Sequence, residues 1–293
     1  MSREEFTKEL IDIVAKKLGT ACLVGSQFIT KNNNTRQIAI TVSKKGVGVN
    51  QVFYTTELYQ HFIKGANIDE IADLIADTFH SSYYDVDIEI MAKLPFMLDK
   101  IYCRLINTEA NTMFLHDVPH KEWNDLSVVY YFYLGKDESH HKMITVTNLL
   151  LELIGLSLDE LDKLARTNLK REMKPDIQSM YSMVCKLHGY EFDALPFDGS
   201  MYVITNESRF NGAVSVVFED ILEKFALQKG IQDFWIIPSS IHEMILVADD
   251  GMMDSKTFRS MIREVNDSLV APEEVLSYNC YRYSSKSGLI SVA

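Results

Sequence analysis

The sequence holds few of the residues that mark a disulfide scaffold, a zinc ribbon or an unstructured linker. Its 293 residues include four cysteines and six prolines. The cysteines are scattered singly, without the C-x-x-C pair of a zinc ribbon or a thioredoxin-like motif. Cys22, Cys103 and Cys280 lie in strand-like apolar runs. We therefore interpret them as reduced core thiols of a cytoplasmic protein.

Other signatures are missing as well. No apolar run approaches the ~18 residues that a membrane-spanning helix needs, and no secretory signal precedes the first amphipathic pattern. Neither G-x-G-x-x-G nor a Walker loop occurs, which argues against Rossmann and P-loop folds. Forty-one acidic residues against 29 basic residues leave a formal charge of −12. We therefore expect neither direct nucleic-acid binding, which needs a basic stripe, nor membrane binding, and we predict no cofactor.

The hydrophobic pattern alternates between helical and strand spacing and predicts an α+β fold. Residues 1–98 are predicted to form a module of helix, β-hairpin and helix, and residues 99–196 a central α+β module. Residues 197–283 have the pattern of a C-terminal ββαββαβ module. The small, polar residues 284–293 indicate an unstructured tail. Short connections between strands favour mostly antiparallel sheets with helices packed on one face.

The C-terminal module has the most regular pattern. Residues 201–205 and 213–217 are rich in β-branched side chains and are predicted to be strands. Two further strands, 233–237 and 242–247, are joined by a turn predicted at Pro238-Ser239-Ser240.

One short pattern occurs twice in the chain. The segment from Tyr102 to Asn107, followed by Asn111, resembles the segment from Tyr202 to Asn206, followed by Asn211. We hypothesise two related sheet modules, which requires the same strand order in both.

The segment around residues 239–243 is the best catalytic candidate. A turn between two apolar strands can present the hydroxyl of Ser240, the imidazole of His242 and the carboxylate of Glu243 close together. A Ser–His nucleophilic pair is one interpretation. However, the sequence has no G-x-S-x-G elbow and no glycine-rich oxyanion loop. The favoured alternative is a tight turn whose polar side chains, including Ser239, hydrogen-bond to backbone groups.

Histidine spacing gives no metal site. His242-Glu243 begins like a zincin motif, but the position of the second histidine is occupied by Leu246. His116 and His120 have a helical metal spacing, but Pro119 lies between them and discourages a helix. We therefore predict no metal.

Candidate binding residues fall into two groups. Asn206 and Asn211 flank predicted strands, where asparagine usually serves a turn but can also line a ligand-binding rim. Ser239 and Trp235 are further candidates, because an exposed tryptophan can anchor a protein partner. The second group is acidic and lies on one side of a strand-like segment. It comprises Asp85, Asp87 and Glu89. Such a patch suits a partner with a basic surface.

Several segments resemble, in order, an uncharacterised domain family that is widespread in gut Clostridia and their mobile elements. They are Lys31-Asn32-Asn33, Tyr59 to Gly65, Ile68 to Ile71, Leu105 to Asn107, Asp125 to Tyr130, Met201 to Asn206, Asn211 to Ala213, and Ile236 to Val247. The most specific part is Pro238 to Glu243. The resemblance spans roughly residues 5–283. It implies a fold and an order of elements, but no activity.

These observations predict a non-enzymatic binding protein that contacts a protein partner through an acidic, aromatic-bearing surface. The mobile-element context of the resembling family implies a narrower function, inhibition of a bacterial defence nuclease. Two alternatives stay open. One is a hydrolase that uses Ser240 and His242, and the other is a small-ligand sensor that uses the asparagine-lined rims.

Overall fold

The computed structural model describes residues 1–46, 51–82, 93–136, 141–187 and 201–293. By their contacts the residues group into two compact units, Met1–Lys93 and Leu94–Ala293. The division lies close to the boundary predicted after residue 98. The other predicted boundary, between residues 196 and 197, lies outside the described residues, as do Asp85, Asp87 and Glu89.

The first unit combines helices with a three-stranded antiparallel sheet of order β1-β2-β3. Its elements are α1 (Arg3–Leu18), β1 (Cys22–Thr30), β2 (Arg36–Lys44), β3 (Gln51–Tyr54), α2 (Thr55–Ile63) and α3 (Ile68–Ser82). The β1–β2 hairpin turns through the asparagine-rich segment that the sequence marks as a turn.

Local sequence explains how the first unit starts. The Ser2 hydroxyl accepts a hydrogen bond from the backbone N–H of Glu5 at 3.2 Å, and the Glu5 carboxylate accepts one from Ser2 N–H at 2.8 Å. This capping box satisfies N–H groups that the first turn leaves free. The apolar stripe of α1, which includes Phe6 and Leu10, is buried in one core with Ile75 of α3.

The second unit begins with a four-stranded antiparallel sheet and three described helices. Its elements are β4 (Ile101–Asn107), α4 (Thr112–His116), β5 (His120–Trp123), β6 (Leu126–Lys136), β7 (His141–Thr145), α5 (Asn148–Ile154) and α6 (Leu158–Asn168). The long strand β6 pairs with β4 on one side, and with β5 and then β7 on the other. Its near-continuous burial agrees with the central strand that its apolar run predicts.

A six-stranded antiparallel sheet completes the second unit, with the order β13-β12-β10-β11-β9-β8. Its strands and the neighbouring helices are β8 (Pro175–Ser179), α7 (Met180–Leu187), β9 (Met201–Asn206), α8 (Glu219–Lys229), β10 (Asp233–Ser240), β11 (Glu243–Ala248), α9 (Ser255–Ser268), β12 (Tyr281–Ser284) and β13 (Leu289–Val292). The mostly antiparallel α+β class is therefore confirmed.

The two sheets of the second unit share one arrangement. In each, a first strand is followed by helical segments and then by a β-hairpin, and the first strand pairs with the second strand of that hairpin. The spatial orders are β4-β6-β5 and β9-β11-β10. The hypothesis of related modules requires the same strand order in both sheets, and these three strands have it.

Helices cover both faces of the six-stranded sheet, rather than the one face that the sequence predicts. Phe234 and Trp235 are consecutive residues of β10 and therefore point to opposite faces. Phe225 of α8 lies edge-on to Phe234 with ring centroids 5.6 Å apart, and Phe258 of α9 lies 5.3 Å from Trp235. Burial on both faces explains why β10 is a continuous apolar run rather than an alternating one.

Three local predictions are wrong. Residues 213–217 form part of a 3-10 helix, Gly212–Val217, whose six residues are all buried, so their apolar character reflects burial rather than strand pairing. The hairpin turn consists of Ile241 and His242, because β10 continues to Ser240 through a bulge after Pro238. Pro238 is tolerated there because β12 pairs with β10 only as far as Ile236. The predicted tail contributes β13, which pairs with β12.

Candidate functional site

The β10–β11 turn gathers the polar residues that the sequence singles out. Ser240 lies opposite Glu243, and the two turn residues between them are Ile241 and His242. The backbone N–H of His242 donates to the Ser240 hydroxyl oxygen at 3.1 Å, and the Ser239 hydroxyl donates to Glu243 at 3.5 Å. The Ser240 hydroxyl therefore bonds a backbone group of the turn, whereas the Ser239 hydroxyl bonds a side chain.

The imidazole of His242 is held by other groups. Its Nδ1 accepts a hydrogen bond from the backbone N–H of Asn211 at 3.1 Å, which fixes the tautomer with the proton on Nε2. Its Nε2 lies 3.6 Å from Oε1 of Glu274. In the described residues, neither ring nitrogen is hydrogen-bonded to the hydroxyl of Ser240. The arrangement thus lacks the serine–base hydrogen bond on which a nucleophilic serine depends.

The loop after β9 packs directly against this turn. The Thr205 hydroxyl donates to the carbonyl oxygen of His242 at 2.8 Å. A Cβ atom on Gly212 would lie 2.6 Å from that same carbonyl oxygen and 2.8 Å from the backbone nitrogen of Asn206. Only glycine permits so close an approach of the two backbones.

Asn206 and Asn211 shape this loop from within. The Asn206 side chain accepts a hydrogen bond from Phe210 N–H at 3.3 Å and donates to the Phe210 carbonyl at 2.9 Å. Asn211 adopts a left-handed backbone conformation with φ of 51°. Both side chains are buried, with 1% exposure each. Asn206 therefore has the turn role that asparagine commonly takes.

Four rings form a half-exposed surface beside the turn, which we name the aromatic–imidazole cluster: Tyr133, His141, Phe210 and His242. His141 stacks on Phe210 with centroids 3.7 Å apart and an interplanar angle of 5°. Phe210 lies 5.8 Å from His242, and Tyr133 lies 5.7 Å from His141. The Tyr133 hydroxyl and His141 Nδ1 are also hydrogen-bonded at 2.9 Å. Strand β7 and the loop after β9 are joined through these contacts.

The electrostatics of the cluster favour a neutral His141. Burial is the main cause of a lowered pKa for this imidazole, and the neighbouring Lys136 and His242 side chains lower it further. Burial also raises the pKa of Tyr133, so its hydroxyl stays protonated at neutral pH. His141 and Tyr133 therefore favour their neutral forms, and the Glu274 carboxylate lies beside the His242 end of the cluster.

The remaining predicted site residues do not meet at this surface. Trp235 is buried in a core with Phe258, Ile262 and Cys280, so it packs α9 against the sheet. The prediction that Asp85, Asp87 and Glu89 form a patch stays a prediction, since they lie outside the described residues.

The sequence analysis missed four contributors. They are Tyr133, His141, Phe210 and Glu274. Glu274 lies 32 positions after His242 in the chain. Only the clustering of Phe210 with Asn206 and Asn211 gave a local signal, because the other contacts join separate elements.

The described residues lack two further features. They contain no group of three or more His, Cys, Asp and Glu side chains that could hold a metal ion. None of their helices is both long and apolar enough to cross a membrane.

Comparison with known proteins gives a family but no activity. Residues 3–285 match the model of a family of unknown function, DUF5688. The chain belongs to this family. The match spans both units and nearly the full length of the chain, in agreement with an uncharacterised family. No curated protein and no solved structure matches the chain at a significant level.

Proposed function

We propose that this DUF5688 protein is a non-enzymatic binding protein whose contact surface is the aromatic–imidazole cluster. The observation that carries the proposal is the stacking of His141 on Phe210 in a half-exposed position, with ring centroids 3.7 Å apart. Aromatic side chains that are held in place provide a large contact area at a small cost in conformational entropy, which is the chemistry of interface hot spots.

The charge of the chain suggests the kind of partner. The formal charge is −12, and Glu274 is partly exposed beside the cluster. An acidic protein attracts a basic partner, and complementary charges raise the association rate more than the affinity. We infer a protein partner with a basic surface, whose binding weakens as salt concentration rises.

Binding accounts for the geometry of the turn better than hydrolysis does. The hydroxyl of Ser240 accepts from the backbone of His242, and the His242 ring accepts from the backbone of Asn211. The Ser240 hydroxyl thus supports the turn, and the His242 ring supports the loop that carries Phe210. A hydrolase would need the serine and the imidazole to face each other.

A narrower form of the proposal is inhibition of a bacterial defence nuclease. It follows from the mobile-element context that the sequence resemblance implies, and from an acidic chain that can imitate the phosphates of a nucleic acid. A cleavage assay tests it: the purified chain should inhibit a captured nuclease in proportion to binding. A captured partner without nuclease activity contradicts this form alone.

The experiment for the main proposal is affinity capture from source cells with two matched variants. Phe210→Ala removes the central ring of the cluster, whereas Leu227→Ala removes a side chain that is 75% exposed on α8. We expect one stoichiometric partner to be captured by the original chain and by Leu227→Ala, and lost with Phe210→Ala. Circular dichroism should show that both variants are folded. Equal capture of the partner by Phe210→Ala would contradict the proposal.

A further inference from the structure

On one face of the four-stranded sheet, the guanidinium of Arg104 has no partner among the described residues. Arg104 of β4 lies opposite Val129, and Tyr102 lies opposite Tyr131. Arg104 and Tyr131 are therefore diagonal neighbours on the same face. Within the described ranges, the Arg104 guanidinium has neither an ion pair nor a hydrogen-bond acceptor. Burial lowers its pKa, although part of the residue stays accessible to solvent.

Two buried polar atoms of the described residues, on Tyr131 and Asn211, lack hydrogen bonds as well. Tyr131 is 2% exposed and Asn211 is 1% exposed. In the part of the chain that the structure describes, neither the Tyr131 hydroxyl nor Oδ1 of Asn211 has a hydrogen-bond partner. Burial is the main cause of the raised pKa of Tyr131, and the nearby Asn211 side chain lowers it. No hydrogen bond of normal length joins the two side chains. Unpaired buried polar atoms are uncommon because their desolvation is uncompensated.

We propose that Arg104, Tyr131 and Asn211 form a binding site for a small carboxylic acid that also carries an amino or hydroxyl group. The site lies between β4, β6 and the loop after β9, within the second unit. Its ligand differs from that of the proposed partner surface, although Asn211 contributes to both. Its backbone N–H donates to His242, whereas Oδ1 of its side chain has no hydrogen-bond partner in the described residues.

The three groups select this chemistry by their donors and acceptors. A guanidinium fork and a phenolic hydroxyl both donate, and a carboxylate accepts from both with favourable geometry. Oδ1 of Asn211 accepts only, so the same ligand must present an N–H or O–H donor. A simple inorganic anion would satisfy Arg104 and Tyr131 but leave Asn211 unpaired.

Aromatic rings limit the size of the ligand. The ring of Tyr102 lies 6.2 Å from that of Tyr131 and 6.1 Å from that of Tyr133. On the other side, the Asn211 amide nitrogen lies 3.7 Å from the sulfur of Met143. These neighbours favour a compact amino or hydroxy acid over a nucleotide.

The binding experiment uses the full chain and defined probes. Calorimetry and thermal shift are measured with the common amino acids, lactate and malate, and with acetate, sulfate and chloride as controls without the second donor. We expect at least one amino or hydroxy acid to bind saturably and to raise the Tm, because a ligand selective for the folded state stabilises it. Arg104→Met should weaken that binding at least tenfold. Binding of no probe, or equal binding of acetate and sulfate, would overturn the proposal.

Stability without ligand gives a second, independent readout. Because Arg104 and the Tyr131 hydroxyl have no partner among the described residues, Arg104→Met and Tyr131→Phe should leave the Tm unchanged or raise it. The control is Arg282→Met, which removes ion pairs with Asp233 at 3.2 Å and Asp249 at 2.7 Å and should not raise the Tm. A fall in Tm for both Arg104→Met and Tyr131→Phe would show that these groups have structural partners, and the proposed site would then be rejected. In particular, a rotated Asn211 amide that accepts from the Tyr131 hydroxyl predicts such a fall for Tyr131→Phe.

Discussion

Tyr281 donates its phenolic hydrogen to Oδ1 of Asp125 at 2.6 Å. The other carboxylate oxygen of Asp125 accepts from the Ser277 hydroxyl at 2.6 Å and from the Asn279 amide at 3.0 Å. Asp125 lies in the β5–β6 turn, so this one carboxylate joins the two sheets of the second unit. The contact also raises the pKa of Tyr281, for which burial is the first cause and the negative charge of Asp125 the second.

Asp125→Asn should therefore weaken the second unit. An amide cannot accept at both of its positions, so at least one of the three donors loses its acceptor. We expect the free energy of unfolding to fall by about 2 kcal/mol, since hydrogen bonds to charged groups are stronger than neutral ones. Urea denaturation followed by tryptophan fluorescence measures the change.

The matched control for that measurement is Asp117→Asn. Asp117 pairs with His116 at 3.0 Å, but the side chains are 78% and 88% exposed. An exposed pair of this kind contributes little, so the control should change stability by less than about 0.5 kcal/mol. Similar losses for the two variants would contradict the role given to Asp125.

The sequence predicts the local features of this fold well because their causes are local. The Ser157–Glu160 capping box, for example, lies within one turn of α6, and the structure confirms both of its hydrogen bonds. The apolar run of β6 likewise predicts a central strand. These signals depend on neighbouring residues and do not require knowledge of the packing.

The contacts that define the candidate site join distant parts of the chain. Asp125 and Tyr281 are 156 positions apart, and Asn211 and His242 are 31 positions apart. Composition misleads at residues 213–217, because a buried 3-10 helix and a buried strand are both apolar. No periodicity in the sequence distinguishes the two, whereas the close approach of Gly212 to the hairpin does.

Gly212→Ala should destabilise the loop that carries Phe210. The added methyl group would lie 2.6 Å from the carbonyl oxygen of His242 and 2.8 Å from the nitrogen of Asn206. Both are backbone atoms that cannot rotate away, so the loop must separate from the turn. We expect a loss of about 3 kcal/mol in the free energy of unfolding, at the upper end of typical overpacking effects.

Gly25→Ala provides the comparison, because Gly25 lies in β1 and its nearest neighbouring atom is the Thr41 hydroxyl at 4.0 Å. Alanine fits there and is less flexible in the unfolded chain, so a neutral or slightly favourable effect is expected. If Gly212→Ala were as stable as Gly25→Ala, the close packing of loop and turn would be disproved.

Ser240 should not react with a serine-directed covalent probe. Its hydroxyl accepts from the N–H of His242, and the ring of His242 is directed to Asn211 and Glu274. Without an adjacent base, a serine hydroxyl is a weak nucleophile. Mass spectrometry after incubation with a fluorophosphonate measures labelling, with Ser240→Ala as the control. Labelling that disappears in Ser240→Ala would favour the hydrolase over the binding protein.

The stability of the protein should fall as the pH is lowered toward the acidic side of neutrality, and His141 should cause part of that fall. Its pKa in the folded protein is lowered from 6.5 by burial first, and then by Lys136 and His242. In the unfolded chain the imidazole regains its ordinary pKa, so it binds a proton at a higher pH than in the folded chain. Stability therefore decreases as pH falls through the unfolded value toward the folded value, and it is unaffected by His141 well above the unfolded value.

His141→Phe keeps a ring to stack on Phe210 but removes the titrating group. We expect its free energy of unfolding to decrease less than that of the original chain when urea denaturation is repeated at about pH 7.5 and about pH 5.5. His116→Phe is the matched control, since it replaces a histidine whose side chain is 88% exposed and lies outside the cluster. Chemical shifts of the His141 ring would follow the same titration directly. An unaltered pH dependence in His141→Phe would show that protonation of this imidazole does not oppose the folded cluster.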